Sequence, residues 1–312
     1  MRRRDFGRTP ANTRFEQKTR RDMTLTPPGF DNPYSHGFVR VAAYSPRVTP
    51  ADPNANLDAM LPLLEAAHAA GAGVCLFPEL GLSGYAIDDL HHQAALLDAA
   101  EAAAARLIAA SAERRPVVLA GCAVRQASQL FNCALVIHRG RLLGVVPKSY
   151  LPNYREFYEK RWFSSAEGVL RDEIRFAGQT APFGADLLFE AQDAPHLILG
   201  VEICEDLWAP IPPSTRLALG GATLIANLSA SNATIGKSRD RAAICADQSR
   251  RTQSAYLFSA AGPGESTTDL AWDGQLSLFE LGGFLAASGR FQEDAPAGLI
   301  ADADLERVVQ DR

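Results

Sequence analysis

The chain has 312 residues, 47% of them apolar and 21% charged, with a formal net charge of −5. That suits one large or two modest globular domains, and an acidic balance supplies no global field to attract nucleic acid. No apolar run reaches the roughly 20 residues that cross a bilayer, no apolar segment follows the basic N-terminus as in a signal peptide, and an odd cysteine count of five points to free thiols in a reducing cytoplasm.

Residues 1–35 read as a disordered basic leader, with Arg2, Arg3, Arg4, Arg8, Arg14, Lys18, Arg20 and Arg21 set against Asp5, Glu16 and Asp22 and no apolar periodicity. A nucleic-acid arm is the lesser reading of that segment, and Met23 is a second candidate start. Residues 36–312 read as one domain. A strand is expected over 38–44, then a helix over 54–70 stopped by Gly71. A short buried strand over 74–77 ends at Pro78-Glu79. An Ala-rich helix covers 90–114. Strands follow over 117–124, 133–138 and 142–146, the last two joined by the turn Arg139-Gly140-Arg141. After a loop-rich stretch come strands over 187–190 and 197–203, a short helix over 213–219, a strand over 224–228, a helix over 238–254 and a strand over 256–260. A hairpin around Gly282-Gly283 closes the series over 276–287. Hairpins mixed with crossovers predict an α/β protein with a pair of mixed sheets and helices outside.

Three strand ends carry chemistry. Glu79 lies in Phe77-Pro78-Glu79-Leu80-Gly81, Lys148 in Val146-Pro147-Lys148-Ser149-Tyr150, and Cys204 in Val201-Glu202-Ile203-Cys204-Glu205-Asp206. A thiol held at the end of a buried strand faces the space where α/β folds bind ligands. Together these groups permit covalent acyl transfer. The thiolate attacks a carbon bearing nitrogen, a carboxylate shuttles the thiol proton to the leaving amine, and an ammonium stabilises the oxyanion. Taken singly each signal is weak, because a glutamate after a strand is ordinarily solvated, a lone lysine is a surface charge and a buried cysteine is packing. Cys75, Cys122, Cys133 and Cys245, inside apolar or helical stretches, read as such packing residues.

The joint pattern resembles the nitrilase superfamily of carbon–nitrogen hydrolases, whose catalytic Glu, Lys and Cys occur in that chain order. The run from Val145 through Pro147-Lys148-Ser149-Tyr150-Leu151-Pro152-Asn153-Tyr154-Arg155-Glu156-Phe157 to Glu159 is similar to the glutaminase domain of bacterial glutamine-dependent NAD⁺ synthetases. So are Val201 to Asp206, Ala226-Asn227-Leu228-Ser229-Ala230-Ser231, and Gly264 to Gln275. The resemblance spans 37–305. It implies an α-β-β-α four-layer sandwich that hydrolyses L-glutamine, with Glu79 as base, Lys148 as oxyanion partner and Cys204 as nucleophile. It further implies that Glu159 orients the lysine, that Tyr154 and Phe157 line the glutamine pocket, and that Glu205 contacts the substrate amide. Ser231 and Lys237 match positions near the substrate's α-amino and α-carboxylate groups. Arginine stands at the Lys237 position in the family pattern, so lysine keeps the charge and loses the bidentate fork. The family's Ser-Gly-Gly-x-Asp-Ser pyrophosphate loop has no match here, so the synthetase domain is absent from this sequence. No cofactor is expected within the chain, and ATP and deamido-NAD⁺ would belong to a synthetase domain or subunit acting as partner. A homo-oligomer is expected by the same resemblance.

Competing signals are weaker. Thr234-Ile235-Gly236-Lys237-Ser238 is half a P-loop, but Ser231 stands where the motif needs glycine. No Cys/His spacing suggests zinc, and His91-His92 reads as a surface pair rather than a metal site. Asp269 to Gln275 reads as a turn before the last hairpin. Two rival functions stay open: a stand-alone amidase or carbamoylase of the same superfamily acting on another carboxamide, and a catalytically silent interaction subunit.

Overall fold

The computed structural model describes residues 12–15, 32–293 and 295–312. The basic leader and the Met23 start lie outside the described residues, apart from a strand at Asn12–Phe15 (β1) and a 3-10 turn at Pro33–His36. The chain then runs through β2 (Phe38–Ser45), α1 (Pro53–Ala69), β3 (Val74–Leu76), α2 (Ala94–Ala110), β4 (Val117–Gln126), β5 (Gln129–His138) and β6 (Arg141–Pro147). A hairpin of β7 (Glu173–Phe176) and β8 (Gln179–Pro182) precedes β9 (Leu188–Ala191), β10 (Ile198–Ile203), α3 (Pro213–Leu219), β11 (Leu224–Ser229), α4 (Lys237–Thr252) and β12 (Ala255–Ala260). The last elements are β13 (Leu276–Glu280), β14 (Gly283–Ala287), β15 (Ala297–Asp304) and α5 (Leu305–Gln310).

Two mixed sheets result, one in the order β15-β2-β3-β4-β5-β6 and the other β1-β9-β10-β11-β12-β13-β14. The period-2 alternation of each strand decides which face each side chain meets. From β2, Val41 and Ala43 enter the core between the sheets with Leu119, Val136, Leu199, Val201, Leu224 and Leu257. Their neighbours Ala42 and Tyr44 face the opposite way, against Leu57, Met60 and Leu64 of α1 and Ala103 and Leu107 of α2. On the far side, Ile225, Tyr256 and Phe258 pack on Leu217 of α3 and Cys245 of α4. The layers therefore read α-β-β-α, as the resemblance implied. Strands buried on both faces appear in the sequence as continuous apolar runs.

Several elements differ from the sequence expectation. The second helix begins at Ala94 rather than at 90, because Asp88–His92 winds into a separate 3-10 turn. His91 is not a surface residue: it is fully buried, with Nε2 3.1 Å from the Tyr85 carbonyl and its ring against Trp162 and Phe163. Burial lowers its pKa to about 4, so it packs as a neutral aromatic. The β7–β8 hairpin falls in the stretch read as loop. Ala177 and Gly178, at φ 51° and 76°, make its two-residue turn. β15 is a further strand beyond the sequence expectation. It runs antiparallel to β2 from Ala297↔Ser45 to Asp304↔Phe38, a pairing that local pattern cannot announce. Asp269 to Gln275 is irregular as expected, yet Asp273 is buried and ion-paired to Arg241.

Candidate active site

The three strand ends converge. β3 and β4 are parallel, and β4, β5 and β6 are successive antiparallel neighbours, so β6 runs the same way as β3. Glu79 and Lys148 therefore emerge at one end of the first sheet. Cys204 emerges from β10 of the second sheet and opens a 3-10 turn (Cys204–Trp208) at φ 44°. A left-handed conformation outside glycine costs roughly 1–2 kcal/mol and marks a constrained position.

At the centre Lys148 is fully buried, and its Nζ donates to Glu79 Oε1 at 2.6 Å and to Glu159 Oε1 at 2.7 Å. Glu79 also accepts from Asn132 Nδ2 at Oε1 and from the Ala230 amide at Oε2, both at 2.6 Å. The Ala230 bond crosses from one sheet to the other. Tyr85 OH donates to Glu159 Oε1 at 2.7 Å, while Glu265 accepts the Tyr85 and Ala86 amides at 2.8 and 3.1 Å. The charged side chains of this network, Glu79, Lys148, Glu159 and Glu265, are all buried, where an unpaired charge is far costlier than at the surface.

The electrostatics follow from that packing. Burial opposes the Lys148 charge, but the Glu159 and Glu79 carboxylates outweigh it and hold the ammonium pKa well above its ordinary value. Burial raises Glu159 to about 7, Lys148 pulls it back and Glu79 pushes it further up. The Cys204 thiol is pushed up first by burial and then by Glu79, with Lys148 opposing. It is therefore protonated at neutral pH and needs a nearby base to become a nucleophile.

The expected substrate contacts divide. Tyr154 is half exposed; its OH donates to Glu205 Oε1 at 3.0 Å, and its ring meets Phe157 edge-on at 6.1 Å. Lys237 Nζ lies 5.5 Å from the centre of the Phe157 ring and 5.8 Å from that of Trp208, and donates to Asn232 Oδ1. Burial lowers its pKa. Glu205 is raised by burial and partly restored by the Tyr154 hydroxyl. These four form a mixed-charge aromatic rim beside the thiol. Ser231 is deeper: it is 2% exposed, and its Oγ has no hydrogen-bond partner among the described residues. Glu159 belongs to the buried centre rather than to the rim.

Sequence reasoning gave no role to Tyr85, Asn132, Asn227 or Glu265. Asn227 Oδ1 accepts the Cys204 amide at 3.2 Å and the Ser229 hydroxyl at 2.7 Å, and its Nδ2 donates to Tyr256 OH at 3.1 Å. A signal was present for both asparagines, since each interrupts an otherwise apolar strand and buried amides need partners. Among the described residues no group of His, Cys, Asp and Glu could hold a metal ion, and no helix is long and apolar enough to cross a membrane.

A family model described as carbon-nitrogen hydrolase matches residues 40–256. The chain is 49% identical over 283 residues to the glutamine-dependent NAD(+) synthetase of Mycobacterium tuberculosis, covering 91% of this chain and 41% of that protein. It thus spans under half the length of the curated synthetases it matches. The structure of a glutamine-dependent NAD(+) synthetase from Cytophaga hutchinsonii superposes with a TM-score of 0.76 at 25% identity, over 85% of this chain and 43% of that one. An amidase of the nitrilase superfamily from Nesterenkonia AN1, in a mutant form, superposes at 0.67 with 20% identity over 88% and 94% of the two chains, and so shares the fold.

Proposed function

Because this chain belongs to the carbon–nitrogen hydrolase family, we propose that it releases ammonia from the side-chain amide of L-glutamine and passes it to a synthetase that amidates deamido-NAD⁺. The observation that carries this reading is the buried Glu79–Lys148 pair, bonded at 2.6 Å, in the electrostatic neighbourhood of Cys204.

The chemistry follows from the protonation states. Glu79 takes the Sγ proton as the sulfur attacks the amide carbon. The oxyanion that forms is met by the Lys148 ammonium, held charged by its two carboxylates. The C–N bond breaks as Glu79 returns the proton to nitrogen, leaving ammonia and a Cys204 thioester. Water, deprotonated by Glu79, attacks the thioester carbonyl, and glutamate leaves as the thiol is restored. Lys237 supplies a cation for the substrate α-carboxylate, Ser231 an unpartnered hydroxyl beside the α-substituents, Phe157 and Tyr154 an aromatic wall, and Glu205 an acceptor for the amide N–H.

The names of the mycobacterial relatives support glutamine as substrate and a synthetase as partner. In this reading ATP and deamido-NAD⁺ bind that partner, and the assembly contains several copies of the chain. Five buried free cysteines suit a reducing cytoplasm.

The test is ammonia release by the purified chain from L-glutamine and from other small amides. Release from glutamine that vanishes in Cys204→Ala is expected. Turnover of other amides without glutamine would assign a stand-alone amidase. Inactivity on all amides, unrelieved by a synthetase partner, would leave an interaction subunit.

A further inference from the structure

Asp206 lies two residues beyond Cys204 and is 2% exposed. Its Oδ2 accepts the Ile203 amide at 2.9 Å, and its Oδ1 accepts the amides of Ser149 and Tyr150 at 3.0 and 2.8 Å. Ile203 immediately precedes Cys204, and Ser149 and Tyr150 immediately follow Lys148. One carboxylate therefore ties the turn bearing the thiol, in one sheet, to the strand exit bearing the ammonium, in the other. The Cys204 backbone, at φ 44°, needs such restraint from outside. Three amide donors converge on its two oxygens and favour the carboxylate, while burial and Glu202 push the group up to about 8.

We propose that Asp206 is a positioning residue that sets the separation of the Cys204 sulfur from the Lys148 ammonium. It acts through backbone amides and not on the substrate. The proposal rests on Cys204 being the nucleophile and not on glutamine being the substrate. It predicts that a carboxamide, able to accept from only one of its two terminal atoms, does part of the work. Asp206→Asn keeps the Ser149 and Tyr150 bonds if its oxygen takes the Oδ1 place, and loses the Ile203 bond. Asp206→Ala loses all three.

The test is the pH dependence of Cys204 alkylation by iodoacetamide, with Cys204→Ala as background, alongside kcat and KM on whichever amide the wild type turns over. The charged and titratable groups that face Cys204 are Glu79, Lys148, Glu159, Glu205, Tyr85, Tyr154 and Lys237. All are retained in both variants, and both variants remove the Asp206 carboxyl itself, so the difference between Asp206→Ala and Asp206→Asn reports their spacing from the sulfur. In Asp206→Ala the alkylation midpoint should move up by about one pH unit as the Lys148 cation drifts away. kcat should fall on the order of 100-fold, the cost of roughly 1 Å of misplacement, with KM within about threefold. Asp206→Asn should lie between, with kcat down on the order of 10-fold. A folded Asp206→Ala with the wild-type profile overturns the proposal, as does reduced thermal stability with that profile unchanged, which would mark a purely structural carboxylate. Should Asp206→Ala not fold, an Asp206→Asn with wild-type kcat and profile overturns it equally. Alkylation needs no substrate, so a wild type that leaves glutamine untouched fails the substrate reading while leaving this test intact.

Discussion

At the scale of single residues the buried charges decide the chemistry. Lys148 is held by two carboxylates, and truncating one partner of such a cluster leaves the others uncompensated. Lys148→Met should therefore abolish amide turnover and cost about 3–5 kcal/mol of stability, read from chemical denaturation, where a surface lysine would cost almost nothing. Glu265 permits a test with a definite sign. Burial raises it from 4.5 to about 7, opposed by the Tyr85 and Ala86 amides. Between those values the folded chain keeps a proton that the unfolded chain has shed, so this group makes stability fall as pH rises from about 4.5 to 7. A shift of that size corresponds to about 3 kcal/mol. Glu265→Gln should flatten the pH dependence by that order, seen as the difference between wild-type and variant denaturation midpoints across the window. An unchanged slope would mean the carboxyl titrates normally.

At the scale of elements the site depends on close backbone approaches. Gly121 in β4 faces the loop that carries Glu79. A Cβ there would lie 2.6 Å from the Glu79 carbonyl carbon and from the Pro78 oxygen, closer than any real Cβ contact, and the Leu80 amide is closer still. Gly121→Ala must push that loop, and with it the carboxylate that meets Lys148 and the Ala230 amide. We expect kcat to drop on the order of 100-fold, with a stability loss of about 1–3 kcal/mol from overpacking. Wild-type kinetics in a folded Gly121→Ala would show that the Glu79 loop is free to move. No signal in the sequence distinguished this glycine from the others, because its constraint comes from a segment some 40 positions away. The β7–β8 hairpin is the opposite case. Glu173-Ile174-Arg175-Phe176 alternates cleanly and Ala177-Gly178 makes the turn, so its signal is local.

At the scale of the whole molecule the site is assembled by two sheets facing each other. Leu199, fully buried, sits in the core between them. Leu199→Ala should cost about 2–5 kcal/mol in a denaturant titration. Because the Ala230–Glu79 and Asp206–Tyr150 bonds cross between the sheets, amide turnover should decline before the chain unfolds. Parallel loss of activity and structure at every denaturant concentration would contradict that order.

Local pattern was enough to place most strands and helices, because each presents a period of 2 or 3.6 to a neighbouring layer. It also placed Glu79, Lys148 and Cys204 just past strand ends. The amino-acid sequence by itself therefore determined the layered α/β class, the buried cysteines and, through resemblance, the family and its three candidate catalytic residues. Tertiary structure alone decided that β15 closes the first sheet beside β2, that His91 is buried, that Asn132 and Tyr85 bond the buried Glu79 and Glu159, and that Asp206 accepts the amides beside Cys204 and Lys148. Periodicity is written in adjacent residues, whereas a hydrogen bond such as that from Ala230 to Glu79 joins positions 151 residues apart and exists only once both sheets are packed.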